Sequence, residues 1–134
     1  MTTVNNSTAS AISINKFIYD ILINDERLSQ MTNKQIYPIV AEDTVNYPFV
    51  IFTKNDVRGE YTKDIHAYDV AELQVAVAAT NYFQTVEIAE RIRQLLEGRR
   101  DGYFRSITLE GVTEEYMDDA FVQSLTFQCK IMEK

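Results

Sequence analysis

Between Ala71 and Gly98 the spacing of apolar residues changes from two to nearly four with no loop between. Leu73, Val75 and Val77 alternate with Glu72, Gln74 and Ala76, as in a half-buried strand, and Val86, Ala89, Ile92 and Leu96 then recur at helical spacing. The join predicts a strand from Val70 to Ala79 feeding an amphipathic helix from about Asn81 to Glu97. Thr80 or Asn81 offers an N-cap, and only Asn81 with Gln84 also fits the capping-box spacing. Glu87 with Arg91 and Arg93 with Glu97 read as i, i+4 ion pairs on the outer face. Gly98 suits the left-handed position after the helix, with Arg99 and Arg100 close to the negative end of its dipole and Asp101-Gly102 as a turn.

The same reading extends in both directions. Ile14, Phe17, Ile18, Ile21 and Leu22 form the stripe of a helix lying on a core, capped by Ser10 or Ser13 and ending near Asn24-Asp25. Glu26 to Lys34 reads as a polar turn with room for a short helical piece, and Ile36-Tyr37-Pro38 as brief and extended, because the residue before proline avoids the helical region. Tyr47-Pro48-Phe49-Val50-Ile51-Phe52 is a strand with proline at its start and apolar residues on both faces, which predicts cover on both sides. From Asp56 to Asp69 the chain is charged and carries Gly59, as in a hairpin or arm. Ile107 and Leu109 mark one late strand, and Phe121, Leu125, Phe127, Cys129 and Ile131 the last; the acidic run Glu114 to Asp119 reads as the connection between them.

This order predicts an α+β domain: an antiparallel sheet of about four strands, two helices packed on one face, a small and polar opposite face, and a protruding hairpin arm. All 134 residues read as one domain, residues 1–9 as a flexible leader and residues 56–69 as the arm.

A net charge of −7 argues against a broad electrostatic footprint on nucleic acid, although a surface that merely surrounds DNA gains from repelling phosphate. Cys129 is the sole cysteine, so no intramolecular disulfide forms. The longest apolar runs fall short of a membrane span, and Met1 to Ser10 has neither the basic nor the apolar region of a signal peptide. Synthesis in the cytoplasm is expected, with no membrane partner.

Candidate chemistry is sparse. His66 is the only histidine and has no second histidine or cysteine with which to build a zinc site. Glu114, Glu115, Asp118 and Asp119 lack the alternating ligands and central glycine of a calcium loop and read as a solvated turn. Cys129, on the apolar face of the last strand, reads as an inert core thiol. The four glycines are isolated and form no phosphate loop. No catalytic, cofactor or metal residue is assigned. The scattered tyrosines, among them Tyr61, Tyr68 and Tyr116, are the residue type that anchors interfaces.

The Ile36-Tyr37-Pro38 block, the Tyr47-Pro48-Phe49-Val50-Ile51-Phe52 block, the polar arm and the strand and helix from Leu73 to Leu96 together resemble the small tail-completion proteins of long-tailed bacteriophages and prophages. The likeness runs from about residue 12 to 132. More distantly the chain is similar to the tail terminators, the group of the minor tail protein U of phage lambda. The resemblance implies a non-enzymatic virion protein, assembled in the host cytoplasm as a ring, commonly a hexamer. Such a ring ends the tail tube and joins it to the head connector, with DNA passing through unread and no cofactor. Its implied partners are its own copies, the tail tube protein and the connector. On that reading the subunit or tube interface takes Val50, Phe52, Arg58, Tyr61, Lys63, His66, Tyr68, Tyr116 and Asp118. The acidic run Glu114 to Asp119 departs from the family's usual turn. Another neck or tube-like subunit is the alternative, ahead of a small-ligand-binding or enzymatic α+β domain.

Overall fold

A computed structural model describes residues 10–41, 45–62 and 65–131. A single 3-10 turn, Ala11–Ser13, leads into α1 (Ile14–Ile23), followed by α2 (Glu26–Thr32), β1 (Ile36–Pro38), β2 (Phe49–Thr62), β3 (Ile65–Ala79), α3 (Tyr82–Leu96), β4 (Phe104–Met117) and β5 (Ala120–Ile131). The expected four strands are five, in the order β1-β2-β3-β5-β4. The sheet is also mixed, because β1 runs parallel to β2 while the other pairs are antiparallel. Ile36-Tyr37-Pro38 is too short to announce a ladder partner, so only the fold reveals its direction. The short helical piece for which the Glu26 to Lys34 segment had room is α2, which Asp25 caps by accepting a hydrogen bond from the Leu28 N–H at 2.9 Å.

The core is one cluster between the sheet and the helices. Ile14, Ile18 and Leu22 of α1 and Ile88, Ile92 and Leu96 of α3 meet Leu73, Val75 and Val77 of β3 and Leu125, Phe127 and Cys129 of β5. Each fully buried Phe or Leu here contributes roughly 2 to 3 kcal/mol relative to exposure. The opposite face of the sheet carries Gln74, Ala76, Ser124 and Thr126, half-buried, in keeping with its small and polar pattern.

Helix α3 begins as its punctuation predicts: the Asn81 side chain accepts from the Gln84 N–H at 3.1 Å. Arg93 pairs with Glu97 at 2.6 Å, and Gly98 sits at φ +81°. The Glu87–Arg91 pair is replaced. Arg91 instead donates to both carboxylate oxygens of Asp25, at 2.9 and 2.5 Å, tying α3 to α2. That hydrogen bonding holds the Asp25 carboxyl below the usual carboxylate range. Arg99 donates to the Leu95 carbonyl at 3.1 Å, closing the helix end.

The charged segment from Asp56 to Asp69 is strand on both sides, since β2 and β3 pair from Phe49↔Ala78 out to Thr62↔Ile65. Among the described residues Val70↔Lys130 is the last rung between β3 and β5, and beyond it the hairpin has no third described strand beside it. The acidic run is strand too. Glu114 to Met117 belong to β4, and only Asp118 and Asp119 make the turn, at φ 51° and 62°. Two successive left-handed residues suit a two-residue hairpin, and Asp tolerates that conformation better than most side chains.

Candidate functional site

The interface candidates separate into three places. Val50 and Phe52 are fully buried in the subunit core, and this corrects their assignment to a subunit or tube contact. Strand alternation explains it: with Val50 and Phe52 turned to the helices, the outward positions are Phe49 and Ile51, which are half-buried. Phe49 packs on Tyr47, with ring centroids 5.4 Å apart.

A second group lies along the β2–β3 hairpin. Arg58 pairs with Glu60 at 3.0 Å and Asp56 at 3.7 Å, all on the solvent-exposed strand. Tyr61 is 66% exposed and stands opposite His66 in the ladder. Lys63 lies outside the described residues. Tyr68 sits at the root of the hairpin, where the Arg105 guanidinium lies 4.9 Å and the Lys130 ammonium 5.5 Å from its ring centroid. Beside it, Asp69 accepts from the Ala11 N–H at 2.9 Å.

The third group is at the far end of the sheet. Tyr116 is 62% exposed and packs against Phe121, centroids 4.8 Å apart, and Asp118 opens the turn. Phe121 in turn meets Tyr82 of α3 edge-on at 5.6 Å. Along β3 the distance from Ile65 to Ala79 puts the arm end and this end roughly 45 Å apart.

A polar cluster at this end has no counterpart in the sequence reading. The Tyr82 hydroxyl donates to the Glu114 carboxylate at 2.5 Å, and the Gln123 amide donates to the same oxygen at 2.6 Å. Gln123 is almost wholly buried and also reaches the Thr85 hydroxyl at 3.4 Å. The Tyr82 bond, then that of Gln123, holds the Glu114 carboxyl below its ordinary range, while the Glu114 bond pushes the Tyr82 phenol up. Small open cavities of about 230 Å³ flank the bridge, one towards Tyr116 and Phe121, the other towards Val86, Val112 and Leu125. Glu114 was legible as one acid among four; its partners lie 32 and 9 residues away and depend on α3 crossing the β4–β5 hairpin.

Among the described residues no three His, Cys, Asp or Glu side chains stand close enough to hold a metal ion. Cys129 is buried, and burial with the nearby Glu110 charge pushes its thiol up to about 12, well away from a reactive thiolate. No described helix is long and apolar enough to cross a membrane.

No protein-family model and no curated protein matches the chain. Its fold, however, is similar to that of a chain from the virion of a native gene transfer agent particle. The TM-score is 0.74 at 16% identity, over 85% of this chain and 90% of that one. The likeness extends over most of both chains and is one of fold.

Proposed function

We propose that this chain is a structural virion protein of a phage or phage-like particle, without enzymatic activity. It ends the tail tube and joins it to the head connector as a hexameric ring, through which DNA passes without being read. The observation that carries this reading is the fold shared with a gene transfer agent virion chain over nearly the full length of both. The arrangement of the surfaces supports it, because a subunit that ends a polymer needs two unlike ends, one matching the last ring of tube protein and one that does not. Here one end carries the β2–β3 arm with charges of both signs, and the other a braced acidic turn with exposed aromatics.

Light scattering on the eluting protein, with and without purified tail tubes, tests the proposal. The expected result is a closed oligomer, or one that forms on the tube and stops its growth. A chain that stays monomeric at high concentration and leaves tube length unchanged sinks the terminator reading. A closed oligomer that leaves tube growth unaffected points instead to another neck subunit.

A further inference from the structure

The charges of this acidic chain are divided along its sheet. No Lys or Arg occurs from Asp64 to Glu90 or from Ser106 to Cys129. The end built from the α3 N-terminus and the β4–β5 turn is therefore without cations, yet it presents Glu115, Asp118 and Asp119. At the opposite end of β5 cations are present: Arg105 and Lys130 lie over the Tyr68 ring, Arg100 is exposed just ahead of β4, and Glu60, opposite Tyr68 in the ladder, is engaged by Arg58. Glu115, Asp118 and Asp119 have no cation partner among the described residues, and the Arg105 and Lys130 charges face an aromatic ring rather than a carboxylate.

We propose that the acidic end of one copy docks on the basic island around Tyr68 of a second copy. This deepens the ring reading above and rests on it. The acidic end has the make-up of an interface centre, with Phe83 72% and Tyr116 62% exposed beside the carboxylates. It is also held in shape: Tyr82 and Gln123 fix Glu114, and Phe121 bridges Tyr82 to Tyr116, so little ordering is lost on docking. The two surfaces lie at opposite ends of β5, roughly 30 Å apart from Phe121 to Lys130. A contact between unlike surfaces of identical chains leaves one of each free, so it repeats from copy to copy and closes when the rotation permits. Opposite charge speeds the encounter and sets its register.

The test pairs two charge reversals. E115K/D119K makes the acidic end basic, and R105E/K130E makes the basic island acidic, with circular dichroism confirming that both fold. Wild type is expected to form a closed oligomer that loosens as salt rises from 50 to 500 mM. Each variant alone should associate at least ten-fold more weakly, and an equimolar mixture should recover the assembly, because each contact then has complementary charges. D118N/D119G, which keeps a left-handed turn and removes two charges, should weaken association without unfolding. Closed oligomers formed by both variants alone overturn the docking mode and leave the ring reading standing. A wild-type chain that is monomeric even on tail tubes overturns both.

Discussion

The β2–β3 hairpin runs on past Val70, the last β3 residue paired with β5, whereas the β4–β5 hairpin ends level with Ala79 and is braced by α3 through Tyr82. Both are long antiparallel ladders, and each carries an exposed tyrosine towards its tip, Tyr61 in the first and Tyr116 in the second. The first offers its exposed backbone a single neighbouring strand and carries Asp56, Arg58 and Glu60, which neutralise one another locally. The second is fixed by a buried glutamine, two aromatic contacts and a tyrosine-carboxylate bond, and keeps its remaining carboxylates unpaired by any described cation. An extension of the first kind suits reaching for a partner. A braced end of the second kind suits offering one a preformed surface.

Four measurements press on this contrast. The largest effect is expected at the root of the first hairpin, where Phe52 is fully buried: Phe52→Ala should cost about 3 to 5 kcal/mol in urea unfolding. A loss under 1 kcal/mol would mean that Phe52 is not part of the core. Next, Asp25→Ala removes the α2 cap and the carboxylate that holds Arg91, with the cap alone worth about 1 to 2 kcal/mol. Since α3 braces only the second hairpin, amide exchange should rise at Val112 to Tyr116 and stay unchanged at Arg58 to Tyr61.

Replacing residues 60–68 by Asn-Gly, between Gly59 and Asp69, which already pair, should leave stability within about 1 kcal/mol while weakening assembly. Unfolding of that variant would show that the arm belongs to the core. The smallest effect is expected from Tyr82→Phe, which leaves the aromatic packing and removes one bond to Glu114. Because the folded Glu114 carboxyl is held below its ordinary 4.5, its hydrogen bonds stabilise fully above that pH and are lost as pH falls through the lower folded value. Protection of the distal β4 amides should therefore fall in acid for wild type, and Tyr82→Phe should flatten that dependence. Identical acid profiles for the two proteins would remove Glu114 from the brace.

Local order was legible where the cause is local. The strand-to-helix join at Ala79, the Asn81 cap, the Arg93–Glu97 pair and the left-handed Gly98 each depend on residues within four positions of one another. Periodicity and capping report such short-range geometry directly. The extended character of Ile36-Tyr37-Pro38 was legible too, but its parallel pairing with Val50 to Phe52 was not, because ladder direction depends on how the chain returns.

The misassignments share one physical origin. Val50 and Phe52 read as interface residues because their strand is apolar on both faces; only the position of α1 and α3 decides which face is core. The Glu87–Arg91 pair obeys helical spacing, yet Arg91 takes Asp25, because packing of α2 on α3 brings a partly buried carboxylate into its reach. The acidic run reads as a turn by composition, but its first residues pair with β5 and only Asp118 and Asp119 turn.

The sequence by itself determined the strand-to-helix join, the caps of α3, the burial period of the core elements and the excess of negative charge, since these follow from neighbours along the chain. Tertiary structure alone decided the strand order, the face that became core, the Tyr82–Glu114–Gln123 brace and the division of charge between the two ends of the sheet. Those depend on groups up to 93 residues apart meeting at hydrogen-bond distance, and only a packed core brings them there.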